Sequence, residues 1–226
     1  MTTFHDATLR DAVAMPELEL TPPEVLDQTN LVDPVKSPPK QGWRKMIHTA
    51  TRGRINPGGS RKELEEQQLI DAIRAPLRGD YRIAVMSLKG GVGKTTTTVG
   101  LGGVFAQTRG DRVIAIDANP DLGTLAQRAA TAPPATIRDL LHAPETHRYP
   151  QVRAFTNQAA SRLEVIGSER DPAVSEAFSE ADYRHAIDIL QHHYNVILTD
   201  CGTGLMHSAM AGVLDLANAL VLVTSP

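Results

Sequence analysis

Residues 87–96, with the sequence SLKGGVGKTT, are of the types that bind a nucleotide phosphate. Glycines lack a Cβ atom, so the backbone N–H groups of such a loop can close around phosphate oxygens. The Lys94 ammonium can reach the β- and γ-phosphates, and the Thr95 hydroxyl can bind Mg²⁺. We therefore predict that this loop binds ATP with Mg²⁺.

The elements on either side of the loop support this prediction. Residues 81–87 (YRIAVMS) form an apolar run typical of a buried strand, and residues 95–108 have helical spacing. A loop between a strand and a helix lies at a helix N-terminus, whose dipole favours an anion. The residues expected to contact the nucleotide are Lys89, Gly90, Gly91, Val92, Gly93, Lys94, Thr95 and Thr96.

The loop departs from the plain G-x-x-x-x-G-K-[ST] pattern because Leu88 occupies the first glycine position. It reads KGGVGKTT instead, and so resembles the deviant Walker A motif of the MinD/ParA superfamily. In that superfamily the extra lysine, here Lys89, contacts the nucleotide held by the other subunit of an ATP-bound dimer. The resemblance implies an ATP-dependent homodimer in which both Lys89 and Lys94 serve ATP hydrolysis.

The sequence DANPD at 117–121 resembles switch I of the same superfamily. Asp117 lies at the end of a predicted strand, where ligands bind in open α/β sheets. The resemblance implies that Asp117 orients the attacking water or the water shell of the metal. Asn119 stands where the superfamily has a second aspartate, so either Asn119 or Asp121 takes that role. Asp121 is a candidate catalytic residue, although it could also cap the helix predicted in LGTLAQRAA.

Residues 195–204 (NVILTDCGTG) resemble the Walker B strand and switch II. An apolar strand that ends in an aspartate places the Asp200 carboxylate beside Mg²⁺, near the γ-phosphate. The predicted metal-binding residues are therefore Thr95, Asp117 and Asp200. Cys201, next to this site, is interpreted as a small buried residue.

A more detailed resemblance covers residues 41–226. The runs GWRK, GRINPGGS, DANPDLGTL and LTDCGTGLMHSAM resemble those of MinD-like ATPases encoded with the type VII (ESX) secretion systems of mycobacteria and related actinobacteria, the EspI group. Members of that group have a proline-rich region before the ATPase domain. The resemblance implies that the chain regulates a secretion machine and contacts its components.

The N-terminal residues differ in composition from the remainder of the chain. Residues 1–40 contain six of the 15 prolines and more acidic than basic residues, which predicts a disordered segment. Residues 41–80 are predicted to be a basic arm and a linker helix, followed by a nucleotide-binding domain at 81–226. Between positions 41 and 62 there are six basic residues and no acidic one.

The basic arm contains a short amphipathic pattern. Trp43, Met46, Ile47 and Ala50 fall on one face of a helix. Such a face can lie on an acidic membrane surface or in a groove of a partner. It can also pack against the protein's own domain, which is the interpretation that we favour from the sequence. Residues 61–74 are predicted to form a further helix.

From residue 81 onward, predicted strands alternate with predicted helices. Further runs typical of buried strands are 112–116, 195–199 and 219–224, with a weaker candidate at 163–166. Two capping-box pairs predict helix starts, Thr136 with Asp139 and Ser179 with Asp182, the second opening a helix at 180–193. This alternation predicts an α/β P-loop NTPase whose mostly parallel sheet is covered by helices on both faces.

Composition narrows the class of protein. The net charge of -3 gives no clear nucleic-acid signal. A single cysteine disfavours an iron–sulfur reductase, which bridges its cluster with two cysteines per subunit, and fits a reducing cytoplasm. The first residues do not form a signal peptide. We expect a cytoplasmic protein, with contact to the inner face of the plasma membrane as an option.

The sequence supports one leading function and leaves others open. We expect an ATPase that works as a dimerisation switch, with hydrolysis that is slow and stimulated by a partner. A ParA-type ATPase for DNA partitioning or septum placement, a nucleotide-binding module with little hydrolysis, and a biosynthetic ligase remain alternatives. Residues 219–224 read as an interior strand close to the end of the chain, so we also expect a C-terminally truncated product.

Overall fold

The computed structural model describes residues 38–118, 123–129, 135–168, 178–202 and 208–225. The predicted disordered segment lies almost wholly outside these ranges. The described residues divide into two compact units, one ending at Glu63 and the other beginning at Leu64. The domain limits predicted from the sequence, at residues 40 and 80, stay a prediction.

The first unit contains a short helix, α1 (Gly42–Ala50), none of whose residues is buried. The helix ends where Gly53, at φ 81°, donates its N–H to the His48 carbonyl at 2.8 Å. The next helix, α2 (Arg61–Arg74), has the predicted bounds. Its start is fixed by Ser60 and Glu63, whose side chains each accept a hydrogen bond from the other's backbone N–H, at 3.3 and 2.7 Å.

The second unit is built on a six-stranded sheet. Its strands are β1 (Tyr81–Met86), β2 (Val113–Ala118), β3 (Asn157–Gln158), β4 (Glu164–Ile166), β5 (Val196–Cys201) and β6 (Ala219–Leu222). In the described part of the chain, the order across the sheet is β3-β4-β2-β5-β1-β6, and β3 is the one strand there that runs antiparallel to its neighbour. The predicted mostly parallel sheet is confirmed.

Six further helices lie in the described part of this unit. They are α3 (Lys94–Arg109), α4 (Leu125–Ala129), α5 (Ile137–Leu141), α6 (Tyr149–Arg153), α7 (Glu180–Leu190) and α8 (Ser208–Leu216). Both predicted capping boxes are confirmed at the starts of α5 and α7. The sequence analysis did not predict α6, α8 or the two-residue β3.

Side chains alternate between the two faces of the sheet, as the pleat of a strand requires. Ala84, Ile114 and Ile197 belong to a core that includes buried residues of α7 and α8. Their neighbours along the strands belong to a second core with Ala106 of α3 and Leu125 of α4. Helices therefore cover both faces, and the predicted fold class is confirmed.

The helix α3 lies unusually close to the sheet at Gly102. A Cβ atom at this glycine would come within 2.8 Å of Leu163 Cδ1, closer than real Cβ atoms approach a neighbour. The missing side chain lets the axis of α3 approach the strands. This close packing fixes the helix that carries the phosphate-binding loop at its N-terminus.

Two strands extend further than predicted. The strands predicted at 112–116 and 195–199 continue through Ala118 and Cys201, because β2 and β5 remain paired as far as Ala118 opposite Cys201. Asp117 and Asp200 are therefore strand residues, not residues of the loops that follow.

The strand β6 is the outermost of the described strands on the β1 side, where Leu220 is 54% and Leu222 58% exposed. Its apolar run is typical of an interior strand, and the expectation of a truncated product stays a prediction.

No helix in the described ranges has both the length and the apolar character needed to cross a membrane.

Candidate functional site

The phosphate-binding loop connects β1, which lies between β5 and β6, to α3. Gly91 and Gly93 have positive φ angles of 76° and 99°, a backbone conformation that side chains with a Cβ disfavour. The Ser87 hydroxyl donates a hydrogen bond to the Lys89 carbonyl at 2.9 Å and so braces the turn. The loop geometry thus requires the glycines that the motif supplies.

The first turn of α3 carries the predicted phosphate ligands. Lys94 and Thr95 are half-buried, whereas Thr96 is exposed. No acidic residue lies in this turn, so the positive end of the helix dipole is not neutralised by a carboxylate of the same turn. Lys89 is exposed at the surface of the loop.

Asp200 lies beside this turn. Its side chain is buried at the end of β5, where it accepts hydrogen bonds from the hydroxyls of Thr95 and, at 3.4 Å, Thr98. Burial raises the pKa of Asp200, and the hydrogen bond from Thr95 and the positive charge of Lys94 oppose that rise. The predicted metal-binding residues Thr95 and Asp200 therefore lie beside each other.

Asp117 is the third predicted metal-binding residue, and it is buried at the end of β2. It is the register partner of Asp200 on the neighbouring strand, and both project from the face of the sheet that α3 covers. The Asp117 carboxylate also accepts the backbone N–H of Leu125, the first residue of α4, at 3.1 Å.

Gly123 is a site residue that the sequence analysis missed. A Cβ atom at this position would overlap with the Asp117 carboxylate and with the Ser168 hydroxyl. The Gly123 N–H donates to Ser168 Oγ at 3.1 Å. Glycine is required here because the carboxylate occupies the space of a side chain, a constraint that no local motif reveals.

Arg128 was also missed. Its Nη1 donates a hydrogen bond to Thr96 Oγ1 at 3.0 Å, so the guanidinium of α4 lies against the first turn of α3. Burial is the main cause of the raised pKa of Asp200, and the positive charge of Arg128 is among the groups that oppose it. An arginine in a short helix carries no sequence signal, and only the fold brings it to the site.

Part of the predicted switch I lies outside the described residues. Asn119 and Asp121 fall in the gap at 119–122, so the assignment of the second acidic role stays a prediction. The helix cap considered for Asp121 stays a prediction for the same reason.

The donor set of the site fits Mg²⁺. The ion prefers hard oxygen ligands, and the Thr95 hydroxyl and the Asp200 carboxylate are adjacent oxygens, with Asp117 on the next strand. Across the described ranges, no group of three or more histidine, cysteine, aspartate or glutamate residues could hold a metal ion. Cys201 is buried, and burial raises the pKa of its thiol to about 12, which agrees with its interpretation as a small buried residue.

Comparison with known proteins places these features in a family. Residues 83–219 match the CobQ/CobB/MinD/ParA nucleotide binding domain. The chain is 41% identical over 186 residues to the ESX-1 secretion-associated protein EspI of Mycobacterium tuberculosis, an alignment that covers 82% of this chain and 28% of that protein.

Solved structures show the same fold. A ParA family ATPase from Chlorobium tepidum TLS matches with a TM-score of 0.57 and 18% identity, over 64% of this chain and 60% of that chain. The cobyrinic acid a,c-diamide synthase of Mycobacterium smegmatis, with bound ATP analog and magnesium, has a TM-score of 0.53 and 23% identity over the same shares.

The family match spans more than half of the chain and includes most of β1, the phosphate-binding loop, Asp117 and Asp200. The resemblance to the EspI group, drawn from short motifs, is confirmed by the identity with EspI along most of the chain. The chain therefore belongs to the MinD/ParA branch of the CobQ/CobB/MinD/ParA nucleotide-binding domain family, close to EspI.

Proposed function

We propose that this chain binds and hydrolyses ATP as a dimerisation switch and thereby regulates type VII secretion. The observation that carries the ATPase part is the position of the buried Asp200 beside Lys94 and Thr95 of the first turn of α3, with the buried Asp117 opposite it on the neighbouring strand. A strand-end carboxylate that can hold Mg²⁺ beside a phosphate-binding loop is a recurring part of P-loop NTPases.

In this proposal each residue of the site has its own role. Lys94 and the loop N–H groups hold the β- and γ-phosphates, and Thr95 and Asp200 hold Mg²⁺, which would neutralise charge on the phosphates. Asp117, buried one strand away, orients the attacking water. Burial raises the pKa of Asp200, and the hydrogen bond from Thr95 opposes that rise. The contact that positions the carboxylate therefore also favours its ionised form, which binds the metal.

The exposure of Lys89 supports its proposed contact with the nucleotide of a second subunit. Its backbone carbonyl is held by Ser87, whereas its side chain is at the surface of the loop. A lysine that served only the nucleotide of its own subunit would be expected to point into the loop. We therefore place Lys89 against the nucleotide of a second subunit.

Sedimentation velocity with a non-hydrolysable ATP analogue tests the switch. The wild-type chain should become a dimer with the analogue and remain a monomer with ADP. Lys89→Ala should bind the analogue with nearly unchanged affinity and stay monomeric, whereas Lys94→Ala should lose binding while its thermal unfolding stays cooperative. A Lys89→Ala protein that dimerises normally contradicts the proposal.

The link to secretion rests on the similarity to EspI. Because the alignment covers 28% of that relative, the activity and partners of the whole protein are a proposal for this chain. A chromosomal Lys94→Ala replacement should change the amount of type VII substrates outside the cell while total synthesis stays constant. Unchanged export in that strain contradicts the regulatory role.

A second candidate is a ParA-type partitioning ATPase, which the likeness to the Chlorobium tepidum structure favours. The two functions differ in their ligand. A partitioning ATPase should bind DNA only with ATP, which an electrophoretic mobility assay with and without nucleotide detects.

The proposed place of this chain in the cell is the cytoplasm, with contact to the inner face of the plasma membrane.

A further inference from the structure

The arm that precedes the nucleotide-binding domain has an apolar face at its surface. In α1, Trp43 is 62% and Met46 is 70% exposed, and Ile55 after the helix is 55% exposed. Several large apolar side chains exposed on one short element usually mark a contact surface. The first unit alone does not cover them, so this face needs another occupant.

Hydrogen bonds within the first unit give the arm a defined shape. Arg44 Nη1 donates to the Gly59 carbonyl at 2.7 Å, which folds the segment after α1 back onto the helix. The Gly58 N–H donates to Asn56 Oδ1 at 3.0 Å and closes the turn. The Arg44 guanidinium lies 5.6 Å from the centre of the Trp43 ring. The apolar face is therefore presented by a folded element.

The stretch of chain that carries the apolar face is basic. No aspartate or glutamate occurs from position 41 to 62. The exposed basic side chains of this stretch are Lys45, Arg52, Arg54, Arg61 and Lys62. Such a surface attracts an anionic partner.

The apolar face and the basic side chains together favour one kind of anionic partner. A DNA duplex is bound through its phosphates and needs basic residues, but its stacked bases gain little from an exposed Trp43 and Met46 on the same element. The interface of an anionic bilayer accepts both, since its headgroups bind basic residues while indole and thioether side chains enter the boundary with the acyl chains.

We infer that α1 and residues 51–62, which we call the basic arm, bind the surface of an anionic phospholipid bilayer. Trp43 and Met46 enter the interface, and the exposed basic residues contact the headgroups. The inference uses none of the residues of the nucleotide site, so it stands or falls independently of the proposed ATPase.

The chain supplies its own probe, because Trp43 is its single tryptophan. Vesicles of phosphatidylcholine with added phosphatidylglycerol should shift Trp43 emission to shorter wavelength, and vesicles of phosphatidylcholine alone should not. Added salt should weaken binding to the anionic vesicles. Lys94→Ala should bind them as well as the wild type does, which separates this result from any failure of the nucleotide site.

Variants locate the contact. Met46→Asp should lower the partition coefficient by about tenfold or more, since a methionine side chain leaves the interface. Arg54→Gln should lower it by about fivefold, the effect of one basic residue near an anionic surface. Leu69→Asp is the matched control, because Leu69 of α2 is 66% exposed but outside the arm, and its partition should be unchanged.

Three results would each overturn the inference. They are an unchanged Trp43 emission with anionic vesicles, an equal shift with neutral vesicles, and normal binding by Met46→Asp. A Trp43 emission change that duplex DNA produces and anionic vesicles do not would overturn it in favour of a nucleic-acid surface.

Discussion

Asp117 and Asp200 are register partners on adjacent parallel strands, although 83 residues separate them in the chain. Both are buried, and both project from the face of the sheet that α3 covers. Two carboxylates placed side by side in this way repel each other when both are ionised. A divalent cation between or beside them relieves that repulsion, and this makes the pair a sensitive part of the site.

The first prediction concerns Asp200→Asn. Burial raises the pKa of Asp200, so in the folded chain without metal the ionised form is disfavoured. An acid with a raised folded pKa loses stability as the pH rises through the interval between its unfolded and folded pKa values. The asparagine variant lacks this loss and keeps the size of the side chain.

At neutral pH and without Mg²⁺, Asp200→Asn should therefore unfold at a higher temperature than the wild type, by about 2–4 °C for each kcal/mol gained. Mg²⁺ with nucleotide should stabilise the wild type and not the variant. Calorimetry with and without Mg-ADP measures both effects. A variant that Mg-ADP stabilises as strongly as the wild type would remove Asp200 from the metal site.

The second prediction concerns Gly123→Ala. The new Cβ atom overlaps with the Asp117 carboxylate and must displace it, so ATP turnover should fall at least tenfold while overpacking costs about 1–3 kcal/mol of stability. Gly100→Ala in α3 is the matched control, because nothing lies within 4 Å of a Cβ atom there. That control should keep full turnover and gain about 0.5–1 kcal/mol. Equal turnover in the two variants would show that the position of Asp117 is unimportant.

The third prediction concerns Arg128. Its guanidinium binds Thr96, an expected nucleotide contact, so a bound phosphate would lie within its reach. Arg128→Gln should weaken ATP binding about tenfold, close to the value of one charge-assisted hydrogen bond. Arg128→Lys should restore part of the affinity, since the charge returns without the planar fork.

Isothermal titration measures the affinity of each Arg128 variant. Arg162→Gln is the control, because Arg162 is exposed and precedes β4 at the opposite, amino end of the sheet. A loss of affinity common to both arginines would indicate a general effect of net charge instead of a contact at the site.

The fourth prediction separates the two candidate aspartates of switch I. Asp117→Ala should abolish hydrolysis and retain ATP binding, because its carboxylate is at the strand end beside Asp200. Asp121→Ala should keep most of the activity and cost at most about 0.5–2 kcal/mol of stability if it caps a helix. Single-turnover assays decide between them. Inactivity of a stably folded Asp121→Ala, with an active Asp117→Ala, would reverse the assignment.

Local sequence was sufficient for the phosphate-binding loop and for most elements around it. The glycines, Lys94 and Thr95 fall within positions 90–95, so the motif is recognised without the fold, and the roles of these residues stay a prediction. The capping boxes that begin α5 and α7 are equally local, since each joins residues three positions apart. These predictions needed no knowledge of tertiary structure.

Features that depend on strand register, or on contacts between distant parts of the chain, could not be predicted from local sequence. The two strands were predicted to end before Asp117 and Asp200, and their mutual pairing extends them. Position 123 needs a glycine because the carboxylate of Asp117, six residues earlier, occupies the space that a Cβ atom would fill. Arg128 reaches Thr96 only because α3 and α4 pack on the same face. Tertiary contacts create each of these constraints.

The shortness of α4 has a further consequence. A helix of five residues cannot sustain itself in water, because the cost of nucleating it exceeds what its few internal hydrogen bonds return. It persists through tertiary contacts that include the Asp117 carboxylate at its first N–H, the buried side chains of Leu125 and Ala126, and the bond from Arg128 to Thr96. Two of these contacts end on residues of the predicted nucleotide site. Loss of either one removes support from the whole segment at once, so residues 125–129 should melt or form as a unit, and the exchange of their amide hydrogens should report the state of the site directly.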